Sequence, residues 1–254
     1  MYSKCIIDAD SLLYRCGFAA EGEDVSHALH SLKLQINGIK NHLKADEVQL
    51  YIKGKGNFRE DVAITTVYKG NRPNVVPTHY HALRDYAINV HGAKEVDGME
   101  ADDAVSIELY KYRDRDSGVI LAAMDKDLWN TPGWHFNYHP NKFYTEYVTP
   151  GRADRNFILQ LLTGDASDNI PGIPGVGKKT AERITNGLDN KAAMLTVCQE
   201  YIHYGEALGW DEYLTRGYLL EQGQLLWMTR ELDAHGRPVR WQIPESLFEA
   251  ATRL

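Results

Sequence analysis

Four short acidic clusters constrain this chain more than any other feature: Asp8-Ala9-Asp10, Glu100-Ala101-Asp102-Asp103, Asp125-Lys126-Asp127 and Asp165-Ala166-Ser167-Asp168. Each stands where an apolar run ends or a helix should begin, so one fold could gather them. Nine carboxylates in one cleft repel each other strongly unless divalent cations neutralise them. Oxygen donors with no His or Cys nearby suit Mg²⁺ or Mn²⁺ and argue against zinc. Two adjacent metals are the usual apparatus for in-line attack on a phosphodiester. The spacings suit this: Glu100 and Asp103 are i, i+3 on one helix face, Asp165 and Asp168 repeat that spacing, and Asp125 and Asp127 can face one side of an extended turn. Any single cluster also reads as helix caps and solvated turns; four in such positions make that reading hard to sustain.

The hydrophobic pattern supplies the frame. Residues 4–9, Val48 to Ile52 and Val119 to Ala123 are short buried strands, while 26–43, His79 to Val90 and Glu100 to Tyr112 carry helical periodicity. Strands alternating with helices predict an α/β fold with a mostly parallel, doubly wound sheet. Ligands of such sheets gather at the carboxyl ends of strands, where Asp8 and Asp125 fall. Residues 53–76 are rich in Gly, Lys, Arg and Asn and read as a mobile basic segment. From about 150 the pattern becomes helical, which divides the chain into a catalytic domain over 1–150 and a helical domain over 151–254 with a short terminal helix.

Composition sets bounds. The 254 residues are 43% hydrophobic and 25% charged, an ordinary globular balance. No run of 18 apolar residues or secretory leader is seen, so no membrane partner is expected. Cys5, Cys16 and Cys198 lack metal-ligand spacing and suit a reducing, cytoplasmic compartment. The net charge of −7 looks wrong for a nucleic-acid enzyme. Setting nine of the 35 acidic residues aside, however, leaves 26 against 28 basic ones. Basic residues can then concentrate locally, as in Lys53 to Arg72 and Lys178 to Arg183.

The string Ile170-Pro171-Gly172-Ile173-Pro174-Gly175-Val176-Gly177-Lys178-Lys179 should join two helices by a tight hairpin. Its glycines let the backbone approach a ligand, and Lys178 and Lys179 add charge for contacts to phosphate without sequence readout. A phosphate-loop NTPase is excluded: Lys179 stands where Ser or Thr is needed, and a helix precedes the string.

These motifs in this order resemble the 5′-nuclease superfamily of flap endonucleases and 5′→3′ exonucleases, in the compact form common in bacteriophages. The resemblance covers roughly residues 4–185 and is carried by Gly98-Met99-Glu100-Ala101-Asp102-Asp103 and by Thr163-Gly164-Asp165-Ala166-Ser167-Asp168-Asn169-Ile170-Pro171-Gly172, continued into the glycine-rich string. It implies a PIN-like nuclease domain followed by a helical domain with a helix–hairpin–helix variant that grips duplex DNA. It also implies that Asp8, Glu100, Asp102 and Asp103 hold one metal and Asp125, Asp127, Asp165 and Asp168 a second. By the same resemblance, backbone carbonyls around Gly172, Gly175 and Gly177 hold a monovalent cation, often K⁺, against a phosphate. Tyr14 would stack on a terminal base, with helix packing as the other reading. Tyr68-Lys69-Gly70-Asn71-Arg72 would place Lys69 and Arg72 on the scissile phosphate, Lys69 stabilising its developing charge.

Two departures stand out. Lys53 occupies the place where the family often has a further Asp after its second strand; Asp10 is the candidate to compensate, and Lys53 itself is a candidate phosphate contact. The arch region, roughly 69–90, is short and contains Pro73 and Pro77. The sequence therefore predicts a metal-dependent, monomeric, soluble nuclease of a bacterial or phage-infected cell, acting on DNA 5′ ends, flaps or nicks and on RNA–DNA hybrids as a further substrate. Two alternatives remain open: a structure-specific DNA-binding protein with weakened catalysis, and a PIN-type ribonuclease.

Overall fold

The computed structural model describes residues 1–73 and 75–253. In its first part the chain runs β1 (Tyr2–Asp8), α1 (Asp10–Ala19), α2 (Val25–Leu43), β2 (Ala45–Lys53), α3 (Phe58–Val62), α4 (Tyr80–His91), β3 (Lys94–Val96), α5 (Ala101–Lys111) and β4 (Val119–Ala122). It continues through β5 (Gly133–Asn137), β6 (Tyr144–Val148), α6 (Pro150–Thr163), α7 (Lys178–Ile184), α8 (Asn190–Ala207), α9 (Glu212–Leu226) and α10 (Glu245–Ala251). Single turns of 3-10 helix lie at Asp127–Asn130 and Ala166–Asp168.

The residues divide into two compact units. The first comprises Met1–Asn57, Asn74–Pro150 and Met228–Pro238, the second Phe58–Pro73, Gly151–Trp227 and Val239–Leu254. Each unit is thus assembled from three separate stretches of chain, where composition suggested one cut near residue 150.

The first unit is built on a six-stranded sheet of order β3-β2-β1-β4-β5-β6. All its pairings are parallel except β5 with β6, which run antiparallel. The mostly parallel α/β sheet expected from the strand–helix alternation is therefore present. Central β1 is buried on both faces, with Cys5, Ile6 and Ile7 fully inaccessible, as a parallel strand covered by helices requires. Ile7 lies in register with Leu50 of β2 on one side and Ala122 of β4 on the other. The chain leaves β1 toward β2 and β3, then returns to β4 on the opposite flank. That reversal opens a crevice at the carboxyl ends of β1 and β4, just where Asp8 and Asp125 stand. Strands β3, β5 and β6 lack the uniform apolar runs that betray central strands, which is why pattern alone misses them.

The second unit corrects the reading of residues 53–76 as a mobile basic loop. Within 58–73, α3 packs on α9, and Arg59 is completely buried. Arg59 Nε donates to the Leu225 carbonyl at 2.9 Å and its Nη2 to the Trp227 carbonyl at 2.7 Å. Glu221 accepts from the Ile64 and Thr65 amides at 2.7 and 2.8 Å. A charged residue that looks solvated in sequence is here a buried, hydrogen-bonded pin. Asn74, within the expected basic segment, and Leu254, the last residue of the expected tail, lie outside the described residues.

The turn between α6 and α7 depends on two glycines. Gly164 and Gly172 have φ of +65° and +60°, and a Cβ on Gly164 would come within 2.1 Å of the Ile170 carbonyl oxygen. A Cβ on Gly172 would meet the Gly164 nitrogen at 2.2 Å. Two backbones touch where any side chain would separate them. Asp165 and Ile170 then exchange main-chain hydrogen bonds of 2.8 and 2.9 Å, closing the acidic turn.

Candidate active site

In the first unit the acidic clusters meet around the end of β1. Asp8 is 4% exposed, and Asp10, the first residue of α1, is half-buried. Burial raises the Asp8 carboxyl most, followed by the negative charges of Asp10 and Asp125, while the Ser11 hydroxyl and the Asp10 amide pull it down; the result is a value pushed up to about 7. Asp10 Oδ2 accepts the Lys53 amide at 3.0 Å, whereas its Oδ1 is buried with no hydrogen-bond partner. Burial raises the Asp10 carboxyl as well, opposed by the Lys53 amide and the charges of Arg84 and Lys53, and reinforced by Glu100. Asp8, Asp10, Glu100 and Asp125 therefore share one electrostatic neighbourhood.

The remaining acids of this unit are placed by local turns. Glu100 and Asp103 form a reciprocal capping box at the start of α5. Asp103 is fully buried; its Oδ2 accepts the Glu100 amide at 3.3 Å and its Oδ1 the Thr229 amide at 3.1 Å. Both oxygens thus already serve main-chain donors, an assignment that i, i+3 spacing does not reveal. Asp102 is half-buried beside them. Asp125 and Asp127 are half-buried, and Asp125 Oδ1 accepts the Asp127 amide at 2.9 Å, an Asx turn that opens the 3-10 helix.

Sequence reading missed three supporting side chains. Arg84 of α4 donates to the Lys53 carbonyl at 2.7 Å and pairs with Glu95 at 2.5 Å, holding the end of β2 against Asp10. Ser11 bridges the Asp8 carbonyl at 3.2 Å and the Tyr138 hydroxyl at 3.0 Å. None carries a motif; only the fold brings Arg84 to the end of β2 and Tyr138 to Ser11. Lys53 itself stands beside Asp10, so the lysine at the departure from the family pattern and the acid proposed to offset it are neighbours.

Among the described residues, no three His, Cys, Asp or Glu side chains form a ready-made ligand set. The donors around Asp8 nevertheless suit a hard divalent cation: they are carboxylate oxygens, one of them buried and unpaired, and their mutual repulsion lifts Asp8. A cation there would relieve both costs.

Tyr14 projects from α1 with 36% exposure. Its ring lies 5.1 Å from Tyr80 and 6.2 Å from Phe18, which is itself 47% exposed. The ring is thus packed on one side against two aromatics and open to solvent on the other.

In the second unit Asp165 is 4% exposed, and its Oδ1 accepts the Ser167 amide at 2.8 Å and hydroxyl at 2.5 Å. Asp168 forms an ion pair with Arg72, has Lys69 Nζ at 3.7 Å, and accepts the Tyr68 hydroxyl at 3.1 Å. The structure thus brings the basic motif and one expected ligand together. In the hairpin, Gly172 is buried, its amide donating to Gln222 at 2.9 Å and its carbonyl accepting Tyr218 at 2.7 Å. Gly175, Gly177, Lys178 and Lys179 are exposed, with open space around both glycines.

No protein-family model matches the chain. A 5′-3′ exonuclease of Buchnera aphidicola is 30% identical over 198 residues, covering 69% of this chain and 67% of that protein. The thermostable DNA polymerase I of Thermus aquaticus is 32% identical over 212 residues, 75% of this chain but 24% of the polymerase. The chain therefore spans about two thirds of the exonuclease and about a quarter of the polymerase. In fold it is similar to the D15 protein of bacteriophage T5, crystallised with metal ions, at 16% identity, a TM-score of 0.66 and 98% coverage of both chains. The same protein, described as a flap endonuclease in a complex with DNA and metal ions, aligns with a TM-score of 0.56, 15% identity and 98% coverage of both chains. Motif order, sheet topology and these likenesses converge: the chain belongs to the 5′-nuclease superfamily of 5′→3′ exonucleases and flap endonucleases.

Proposed function

We propose that the chain is a metal-dependent 5′→3′ exonuclease and 5′-flap endonuclease that hydrolyses phosphodiesters of DNA during replication or recombination. The observation that carries this reading is the strained carboxylate group at the end of β1, where Asp8 is lifted to about 7 beside Asp10 and Asp125 and one Asp10 oxygen is buried unpaired. We assign Asp8, Asp10, Glu100, Asp102, Asp125 and Asp127 of the first unit as carboxylates that hold Mg²⁺ or Mn²⁺, and, within the second unit taken by itself, Asp165 and Asp168 as further candidate ligands of such an ion. Asp103, with both oxygens on main-chain donors, fixes the start of α5 that presents Glu100 and Asp102. Bound divalent cations supply activation of the attacking water and stabilisation of the leaving oxygen.

The chain's own residues bind and orient. Lys69 and Arg72 neutralise the scissile phosphate, Lys53 contacts a neighbouring one, and Tyr14 stacks on the terminal base. Lys178 and Lys179 meet duplex phosphates without reading sequence. Gly175 and Gly177 are the candidates for a K⁺ site, since Gly172 is buried with its amide and carbonyl both bonded within the protein. The chain works as a monomer in the cytoplasm and accepts RNA–DNA hybrids as well; no described helix is long and apolar enough to cross a membrane.

The test is cleavage of a 5′-labelled duplex and a matched 5′-flap substrate with Mg²⁺ or EDTA. Metal-dependent release of mononucleotides or of an intact flap supports the reading. Substrates that shift on a gel yet stay intact with Mg²⁺ and with Mn²⁺ would replace it with a DNA-binding protein.

A further inference from the structure

The segment carrying Lys69 and Arg72 and the acidic turn 165–169 clasp each other through reciprocal bonds. From the segment, Lys69 N–H donates to the Asp168 carbonyl at 2.9 Å, Asn71 Nδ2 to the Ala166 carbonyl at 2.6 Å and Arg72 Nε to the Ser167 carbonyl at 3.0 Å. In return Asn169 Nδ2 donates to the Val67 carbonyl at 2.9 Å. At the centre, Asp168 Oδ1 takes the Arg72 guanidinium, while Oδ2 accepts the Tyr68 hydroxyl at 3.1 Å and faces the Lys69 ammonium at 3.7 Å.

Both carboxylate oxygens are therefore engaged. The facing residues Lys69 and Asn169 have φ of 54° and 61°. Asn tolerates that left-handed conformation and Lys does so poorly, so the clasp holds Lys69 in a backbone state that costs energy. The base of the segment is fixed by buried Arg59 and Glu221, whereas this end is held by hydrogen bonds to backbone carbonyls and by ion pairs that reach solvent, with Arg72 48% exposed.

We propose that Asp168 is the positioning residue of Lys69 and Arg72: its carboxylate anchors the cationic segment while no divalent cation is bound, and releases it when an ion takes one of its oxygens. A metal and a guanidinium on the same carboxylate set two positive charges against each other, so the two uses compete and the ion weakens the hold on Arg72 and Lys69. Lys69 and Arg72, once released, gain a substrate phosphate as the replacement partner, with charge-assisted bonds of comparable strength. Metal loading thus favours presentation of the cationic groups to a phosphate, which disfavours tight binding of DNA that cannot be cut. The release half of this proposal rests on the nuclease reading; the anchoring half does not.

Trypsin at Lys69–Gly70 reports the clasp, because the Arg72–Pro73 bond resists that protease. In EDTA the wild-type bond is expected to be cut slowly, Asp168→Asn about tenfold faster, and Asn71→Ala at an intermediate rate. Saturating Ca²⁺, with binding verified by calorimetry, should accelerate cleavage of the wild type and of Asn71→Ala but not of Asp168→Asn. Asp168→Asn and Asn71→Ala both as resistant as wild type in EDTA would overturn the anchor. Ca²⁺ that binds without changing the wild-type rate would overturn the exchange. Failure of Ca²⁺ to bind at all would overturn the exchange together with the metal-dependent reading, leaving the result in EDTA to judge the anchor alone.

Discussion

The two acidic regions look alike in sequence and differ in physical state. Around β1, carboxylates face carboxylates: burial first, then the charges of Asp10 and Asp125, raise the proton affinity of Asp8, and one buried oxygen of Asp10 lacks a donor. In the turn 165–169, Asp165 accepts the Ser167 amide and hydroxyl, and Asp168 lies among Arg72, Lys69 and Tyr68. The first arrangement destabilises the fold and stores that cost for a cation. The second stabilises the fold and must give something up to bind one. An acidic motif thus predicts a ligand set only once its neighbours are known.

The largest effect expected is catalytic. Asp125→Asn should lower Mg²⁺-dependent cleavage by roughly 10²-fold or more, the scale of losing one preorganised electrostatic group, with DNA affinity in Ca²⁺ preserved. Gel shifts and single-turnover cleavage measure both, and unchanged cleavage would remove Asp125 from the site. Next comes Gly172→Ala, which forces the Gly164 backbone away and should cost about 3 kcal/mol in urea unfolding. A cost below about 1 kcal/mol would show that the two turns separate easily.

The sharpest contrast is one of sign. Between the ordinary value of 3.8 and about 7, the folded chain keeps a proton on Asp8 that the unfolded chain has lost. Metal-free stability therefore falls as pH rises through that window. Asp8→Asn removes the fall, so at pH 8 in EDTA its Tm should exceed wild type by about 2–4 °C or more, with the gap closing toward pH 4. A lower Tm at pH 8 would contradict the repulsion around β1. In the other region the sign reverses. Ser167→Ala deletes a hydroxyl that Asp165 accepts and should destabilise by about 1 kcal/mol, seen as a small drop in Tm.

Much of this was legible beforehand. Buried strands ending in Asp8 and leading to Asp125 announced a parallel sheet with acids at its carboxyl edge, because apolar runs and strand polarity are local properties. The glycine-rich hairpin was legible for the same reason. The bond from Thr229 to Asp103 was not, because the two residues lie 126 positions apart and spacing along α5 carries no sign of it. Arg59, Arg84 and Tyr138 were silent too, since a buried arginine or tyrosine is defined by the carbonyls and hydroxyls that meet it in three dimensions. The basic segment was misread because glycines and charges usually mark loops, yet here Glu221 and Asp168 satisfy its donors.

The bond between Asp103 and Thr229 also has a consequence in time. During synthesis at about 5–20 residues per second, Thr229 emerges roughly 6–25 s after Asp103. Until then a fully buried position of the first unit holds a carboxylate oxygen without its donor. The sheet can form early, but the unit is finished only after nearly all of the second has left the ribosome. A nascent chain stalled anywhere before residue 228 should therefore be a substrate for chaperones and proteases, and a gene fragment ending near residue 150 should express poorly. The ordering means that the acidic crevice reaches its final form only when residues 151–227 of the second unit already exist.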